Sequence, residues 1–221
     1  MIEQGPTPAE PAPKGCAETT TGRRDARLRI LEATFEALVE HGYAGTRREI
    51  AKRAKVSKRE LYAIFGSKQS ILAAMIEGRA ARMRLPLALP NVTDRRALEE
   101  TLVRFGANLV REVSHPAVTA LFRLAVTEAE RSPEVARALD EGGRRTTRGA
   151  LVTFLERAAA QGLVGDADPE TVAAEFLALL WGDLQMSLLM RLAEAPPPAG
   201  IEQRARAAAS AVLTLYPARS G

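Results

Sequence analysis

Basic side chains are concentrated in the short stretch KVSKRELYAIFGSKQSIL, residues 55–72. Lys58 and Arg59 directly follow one serine, Tyr62 comes about one helical turn later, and Lys68 follows a second serine. Positively charged groups at the start of a helix can reach base edges and phosphates in a nucleic-acid groove. The residue types and their spacing therefore favour recognition of a polyanion.

Other kinds of site have little support in the sequence. The two histidines, His41 and His115, are far apart, and Cys16 is the single cysteine, so we expect neither a metal site nor an internal disulfide. No nucleophile elbow or phosphate-binding loop is present. Glu128 and Glu130 are two residues apart, so they do not share a helix face. We therefore expect no enzymatic activity and no cofactor.

The net charge of +4 is unevenly distributed along the 221 residues. From Arg23 to Arg79, 13 Lys and Arg stand against 7 Asp and Glu, a net of +6 (13 − 7), whereas residues 80–221 carry 17 of each sign. Such localisation suggests a polyanion partner. A solvated helical surface explains the charge equally well, so charge alone does not decide.

Capping signals divide the basic region into short helices. Thr46 stands three residues before Glu49, and Ser57 stands three before Glu60, which is the pattern of a capping box. Ser67 caps a further helix. Three short helices in about 45 residues, with a tight turn between the second and third, describe a helix-turn-helix. Its small core consists of Leu31, Phe35, Leu38, Ile50, Val56, Leu61 and Phe65.

The whole chain is predicted to be all-α, because strand-forming residues are sparse and apolar residues recur at helical spacing. We expect a disordered tail at 1–22, a DNA-binding unit at 23–70 and a larger helical domain at 71–221, with about nine helices in total. Gly142 and Gly143 are expected to kink or break the helix predicted at about 133–161. Besides the helices that open at Thr46 and Ser57, the predicted ones span about 24–42, 67–85, 93–114, 117–131, 133–161, 169–193 and 200–216.

The sequence contains no secretion signal and no apolar run of about 18 residues or more. These absences predict a cytoplasmic protein that has no membrane partner.

A series of short motifs occurs in order between residues 27 and 72: Gly42-Tyr43, Thr46, Ile50-Ala51, Val56-Ser57, Leu61-Tyr62, Phe65 and Ser67-Lys68. Together they resemble the DNA-binding domain of TetR-family transcriptional regulators. Two features depart from the family pattern. The turn after Thr46 is one residue shorter, and Lys55 stands where glycine is usual. A positive φ at Lys55 would cost about 1 kcal/mol relative to glycine.

The resemblance implies a role for each basic residue. Those it places at the groove are Lys58, Arg59 and Tyr62, and those it places near the DNA backbone are Thr46, Arg47, Arg48 and Lys68. It further implies that the larger domain senses a small molecule and dimerises. Residues 121–139 also resemble the C-terminal domain of the AefR-like subset of the family.

The apolar faces of the longer helices contain candidate residues for a small-molecule pocket and for a dimer interface. A small-molecule pocket is predicted to involve Phe105, Leu109, Phe122, Leu151, Phe154, Trp181 and Gln185. A two-fold dimer interface is predicted at Phe176, Leu180, Leu184, Leu188, Ala205, Ala209 and Val212. For both sets the alternative is that the residues simply form the core of one subunit.

The function expected from these features is a ligand-responsive repressor. It would bind a near-palindromic double-stranded DNA operator as a homodimer, and a small apolar effector would release it. Two alternatives remain open at this stage. One is a DNA-binding architectural protein that needs no ligand, and the other is a helical module whose basic face meets an acidic membrane or protein.

Overall fold

The computed structural model describes residues 16–41, 47–88, 92–131 and 133–219. Over these ranges the chain forms eleven α-helices, one 3-10 turn and one π-helical segment, without any β-strand, and this confirms the all-α fold class. None of the described helices is long and apolar enough to span a membrane. The elements are α1 (Cys16–His41), α2 (Arg47–Arg53), α3 (Lys58–Phe65), α4 (Lys68–Arg84), the 3-10 turn (Leu85–Ala88), α5 (Arg95–Val113), α6 (Pro116–Thr127), α7 (Pro133–Ala138), the π-helical segment (Leu139–Arg145), α8 (Thr146–Ala160), α9 (Pro169–Trp181), α10 (Leu184–Leu189) and α11 (Pro198–Leu215).

Two of the predicted helices are divided in the structure, which raises the number from about nine to eleven. The helix predicted from about residue 133 to 161 consists of α7, the π-helical segment and α8. Its irregular part contains Gly142 and Gly143, where the sequence predicts a kink or break. α9 and α10 are separated at Gly182, whose φ of +46° is readily adopted by glycine.

The first helix is longer than the sequence predicts. α1 begins at Cys16, inside the segment 1–22 for which the composition predicts a disordered tail. Extending an existing helix costs much less than nucleating a new one, which favours continuation of α1 on the N-terminal side of Arg23. The rest of the predicted tail, residues 1–15, and the turn 42–46 lie outside the described residues.

The first three helices pack around a small apolar core of their own. α2 and α3 have seven and eight residues, too few to be stable as isolated helices. Their inward faces bury Ile50, Leu61 and Phe65 against Ile30 of α1. This shared core fixes the direction in which α3 presents its opposite face.

α5 is the central helix of the larger domain, and it packs against α9 and α11. Gly106 permits the close approach, because a Cβ at this position would lie 3.2 Å from side-chain atoms of both Leu180 and Phe176. At the start of α5, Arg95 donates a 2.9 Å hydrogen bond to the carbonyl oxygen of Tyr216, just after α11. This hydrogen bond connects the first turn of α5 to the end of α11, and the larger domain has one main apolar core.

α4 belongs to both parts of the fold. Near its start, Ile71 packs into the core of the first three helices. Further along, Met75 and Ile76 pack in a separate apolar cluster with Leu121 of α6 and Leu139 of the π-helical segment. A displacement of α4 therefore changes contacts in both parts.

Candidate nucleic-acid interface and internal cavity

The start of α3 projects its polar side chains away from the protein. The Ser57 Oγ accepts a 3.0 Å hydrogen bond from the Glu60 amide, as the predicted cap requires. Lys58, Arg59 and Tyr62 are exposed, whereas Leu61 and Phe65 of the same helix are buried. The helix thus offers two cations and a phenol to a partner without exposing its core.

The turn between α2 and α3 ends α2 in a Schellman motif. The Val56 amide donates to the Ala51 carbonyl at 3.0 Å, and the Lys55 amide donates to the Lys52 carbonyl at 3.2 Å. Lys55 occupies the left-handed position of this motif, with a φ of +54°. Lys55 therefore has the backbone strain that a lysine at a usual glycine position with positive φ is expected to have.

The remaining candidate DNA contacts flank α3. Arg48 is exposed in the first turn of α2. Arg47 begins the same helix, but its side chain lies outside the described residues, as does all of Thr46. Lys68 is half-buried at the first position of α4, next to Ser67, whose Oγ accepts a 3.0 Å hydrogen bond from the Ser70 amide. These groups lie at helix N-termini, where the helix dipole favours anions.

Several arginines of the basic segment hold the three-helix unit together. Arg29 donates from Nε to the Ala54 carbonyl at 3.2 Å, and the guanidinium carbon of Arg27 lies 4.7 Å from the centroid of the Phe65 ring. In the sequence these arginines are part of the net positive charge of the basic segment, whereas in the structure they also pack against other residues. Only contacts between distant parts of the sequence reveal this difference.

Arg53 is tied to three carboxylates of α1 and α2. It hydrogen-bonds to Glu40 and, at 2.8 Å, to Glu49, and Glu36 lies 4.0 Å away. The hydrogen bonds that Arg53 donates to the Glu40 and Glu49 carboxylates raise the pKa of Arg53 above its ordinary value. This arginine therefore braces α2 against α1, a role that the sequence did not predict.

A cavity of about 520 Å³ is bounded by α1, α4, α5, α6, the π-helical segment, α8, α9 and α10. Four of the residues predicted for the pocket line it: Leu109, Phe122, Trp181 and Gln185. The lining also contains residues that the sequence did not suggest, among them Phe35, Arg79, Arg145 and Thr147. These four come from four different helical elements, so no local sequence pattern brings them together.

The other three predicted pocket residues do not line this cavity. Phe105, Leu151 and Phe154 are buried in the main core of the larger domain. Phe105 packs against Phe176, with 6.2 Å between ring centroids. These three predicted pocket residues therefore belong to the packed core and not to the wall of this cavity. Helical periodicity identifies a buried face but does not distinguish a filled core from a cavity wall.

Arg79 joins the cavity wall to α1. Its guanidinium carbon lies 3.6 Å from the centroid of the Phe35 ring, and its Nη1 lies 2.5 Å from a carboxylate oxygen of Glu112. The His115 ring lies 5.1 Å from the Phe35 ring, centroid to centroid. Desolvation and the nearby Arg79 charge lower the pKa of His115, although Glu112 opposes the shift.

The residues predicted at a dimer interface are buried inside one subunit instead: Phe176, Leu180, Leu184, Leu188, Ala205, Ala209 and Val212. Each is at most 6% exposed, so this surface is not available to a second chain. The reason is the close packing of α9 and α11 on α5, which the small Gly106 permits, and the packing of α10, which contains Leu184 and Leu188, on α6. Apolar side chains on the outward faces of these helices include Leu179, which is 43% exposed, and Leu215, which is 59% exposed.

Two family models match the chain. Residues 30–75 match the model described as bacterial regulatory proteins, tetR family. Residues 100–218 match the model described as the AefR-like transcriptional repressor, C-terminal domain. No curated protein matches the sequence.

Many solved structures have the same fold. A TetR transcriptional regulator from Agrobacterium tumefaciens is 30% identical, with a TM-score of 0.73, and the match covers 89% of this chain and 95% of the other. The flavonoid-responsive regulator FrrA is 29% identical, with a TM-score of 0.66 and coverage of 88% and 98%. GusR from Salmonella enterica is 26% identical, with a TM-score of 0.62 and coverage of 86% and 94%.

Proposed function

The chain belongs to the TetR family of bacterial regulatory proteins, and from this premise we propose that it is a repressor that binds its operator as a homodimer and is released by a small molecule. Proteins of this family are DNA-binding transcriptional regulators, not enzymes. The observation that carries the proposal is the geometry of α3, which exposes Lys58, Arg59 and Tyr62 while Leu61 and Phe65 anchor it.

In the proposed complex, α3 enters the major groove of the operator. Lys58 and Arg59 contact base edges, for which guanine O6 and N7 are the favoured acceptors, and Tyr62 contacts the groove one turn later. Arg47, Arg48 and the hydroxyl of Thr46 contact the DNA backbone on one side. Lys68, at the start of α4, contacts it on the other side.

The proposed dimer uses the outward faces of α9 and α11. These helices pack side by side and expose Leu179 and Leu215, and the outward residues Ala207 and Ser210 are small enough to permit close approach of a second helix pair. A two-fold axis through this surface pairs two α3 helices. The expected operator then has half-sites ~34–36 Å apart or somewhat further.

The proposed effector site is the cavity, and α4 carries its signal. α4 contributes Met75, Ile76 and Arg79 to the cavity wall, and its first residue is Lys68 at the proposed phosphate contact. An effector that binds one position of α4 more tightly than the other changes the separation of the two α3 helices. The similarity to a flavonoid-responsive regulator supports an effector with a largely apolar body.

The function is tested with the purified full chain. Genomic fragments retained by the protein are sequenced, and the shared site is compared with a scrambled site of equal length at about 150 mM salt. We expect the operator to be bound at least about 1,000-fold more tightly than the scrambled site. Equal affinity for the two sites would refute sequence-specific regulation.

Two further measurements test the finer parts of the proposal. Sedimentation of the protein at micromolar concentration should give the mass of a dimer. A protein that sediments as a monomer and still binds its operator would contradict the two-fold arrangement. Compounds that shift the melting temperature are then added to the operator complex. Binding of such a compound with no loss of operator affinity would refute the release mechanism for that compound.

A further inference from the structure

The charged groups on the cavity wall all have the same sign. Among the described lining residues, the charged side chains are Arg79, Arg144, Arg145 and Arg148, and no Asp or Glu is present. The rest of the wall is mostly apolar, with Leu109, Phe122 and Trp181 among its members. An apolar chamber with cationic groups on one side is suited to a molecule with an apolar body and an anionic head.

The four arginines differ in how their charges are balanced. Arg79 pairs with Glu112 at 2.5 Å, and Arg148 pairs with Glu170 at 2.9 Å. Arg144 lies 3.7 Å from Asp140. Arg145 has no ion-pair partner within 4.0 Å among the residues that the structure describes. The cavity wall therefore has an exposed arginine that forms no ion pair with a described carboxylate.

A second and independent feature is a buried hydroxyl in the same wall. Thr147 is 5% exposed, and its Oγ1 makes no hydrogen bond in the described part of the chain. A buried hydroxyl without a partner destabilises the fold, and such groups are uncommon unless a ligand or water satisfies them. Arg144 lies three residues before Thr147 on the same helical face, and the exposed Arg145 and Arg148 also line the cavity.

We propose that the cavity binds an organic anion of the carboxylate class with an apolar body. The Thr147 hydroxyl donates a hydrogen bond to the carboxylate, the exposed positive charges of Arg145 and Arg148 lie beside it on the cavity wall, and the apolar part lies against Leu109 and Trp181. This inference rests on the proposed effector site and adds the chemical class of its ligand. Because the head is held partly by the π-helical segment, binding acts directly on the element that packs against Ile76 of α4.

The chain has its own reporter for this binding. Trp181 is the only tryptophan, and it lines the cavity. Decanoate and 1-decanol, which share an alkyl chain and differ in charge, are titrated separately into the full chain while tryptophan fluorescence is recorded. We expect decanoate to bind at least about tenfold more tightly than 1-decanol, since charge-assisted hydrogen bonds are the stronger ones.

Three variants separate charge from shape. Arg145→Gln should weaken decanoate binding about tenfold and leave 1-decanol binding unchanged, because only the acid uses the charge. Thr147→Val keeps the side-chain shape and should weaken decanoate binding about threefold while raising the melting temperature of the unliganded protein. Arg96→Gln, at an exposed position of α5 outside the cavity lining, is the matched control and should change neither affinity.

Equal affinity of the wild type for the acid and the alcohol would overturn the proposal, and so would failure of both to bind. Equal losses of both ligands in Arg145→Gln would overturn it as well. These outcomes concern only the class of ligand, because operator binding is measured without any ligand. Conversely, a chain that selects no operator but still prefers decanoate would refute the proposed function and leave the cavity assignment standing.

Discussion

The guanidinium of Arg79 is stacked on the ring of Phe35, with 3.6 Å between the guanidinium carbon and the ring centroid. Phe35 belongs to α1, which is part of the three-helix unit, and Arg79 belongs to α4. Both residues line the cavity, and Arg79 is also paired with Glu112 of α5. The stack therefore forms a direct contact between the cavity wall and the helix on which α2 and α3 pack.

Replacing Arg79 by methionine should destabilise the fold. The substitution removes the nearer of the two arginines paired with Glu112, in a site where the Arg79 and Glu112 side chains are largely buried, and leaves only Arg82 at 4.0 Å, so we expect a loss of about 1–2 kcal/mol in the free energy of unfolding. Urea denaturation of Arg79→Met, Glu112→Gln and the double variant measures the interaction. The double variant should lose less than the sum of the single losses, and strict additivity would show that the pair is not coupled.

Arg59→Ala and Lys58→Ala should reduce operator affinity more than affinity for random DNA. Each exposed cation at the start of α3 is expected to contribute about 1–3 kcal/mol of discrimination if it contacts a base edge. Fluorescence anisotropy with the operator and a scrambled duplex gives both affinities. Arg96→Ala, on the exposed surface of α5, is the control, and equal losses on both duplexes would reassign these residues to the DNA backbone.

Lys68→Ala should behave differently, because a phosphate contact carries no sequence information. We expect affinity to fall by a similar factor on operator and random DNA, and the slope of log affinity against log salt to decrease in magnitude by about 1. The measurement is a salt titration of both duplexes between about 50 and 200 mM. A loss confined to the operator would mean that this lysine takes part in reading bases.

The start of α3 could be predicted from sequence because its signals are local. Ser57 and Glu60 lie three residues apart, and the apolar spacing of Leu61 and Phe65 identifies the buried side, so the exposed side follows. The same reasoning failed for Phe176 and Ala205. The periodicity correctly identified buried helix faces, but the sequence analysis assigned them to contacts with a second chain. Periodicity does not show whether a buried face packs against the same subunit or against another.

The cavity was only partly predictable for a related reason. Leu109 and Trp181 lie on apolar helix faces that sequence analysis can find. Arg145 lies at the end of the π-helical segment and Thr147 in the helix that follows it, and their position at the cavity depends on that irregular segment. Gly142 and Gly143 indicate an irregularity but not its form. The observed geometry depends on tertiary packing, since a Cβ on Gly143 would lie 3.5 Å from Ile76 of α4.

Lys55→Gly should stabilise the protein. The left-handed φ of +54° costs a lysine about 1–2 kcal/mol, and the greater freedom of glycine in the unfolded chain offsets part of the gain. We expect a net increase of about 0.5–1 kcal/mol in the free energy of unfolding, measured with urea. Lys52→Gly, in the preceding helix, is the matched control and should instead lose about 1 kcal/mol.

His115 should make stability depend on pH below about 6.5. Burial and the charge of Arg79 lower its pKa below the ordinary value of 6.5, with Glu112 opposing, so the folded state favours the neutral ring. Between the folded and unfolded pKa values the unfolded chain binds more protons, and stability must fall as the pH decreases through this interval.

The variant His115→Asn isolates this effect. Asparagine is a good N-cap, so it can replace the His115 Nδ1 that accepts a 3.3 Å hydrogen bond from the Ala117 amide, and it does not titrate. Melting temperatures at about pH 7.5 and about pH 5.5 should differ less in the variant than in the wild type. Both proteins retain His41, so its titration cancels in the comparison. An equal or larger difference in the variant would show that the pKa of His115 is not depressed in the folded chain.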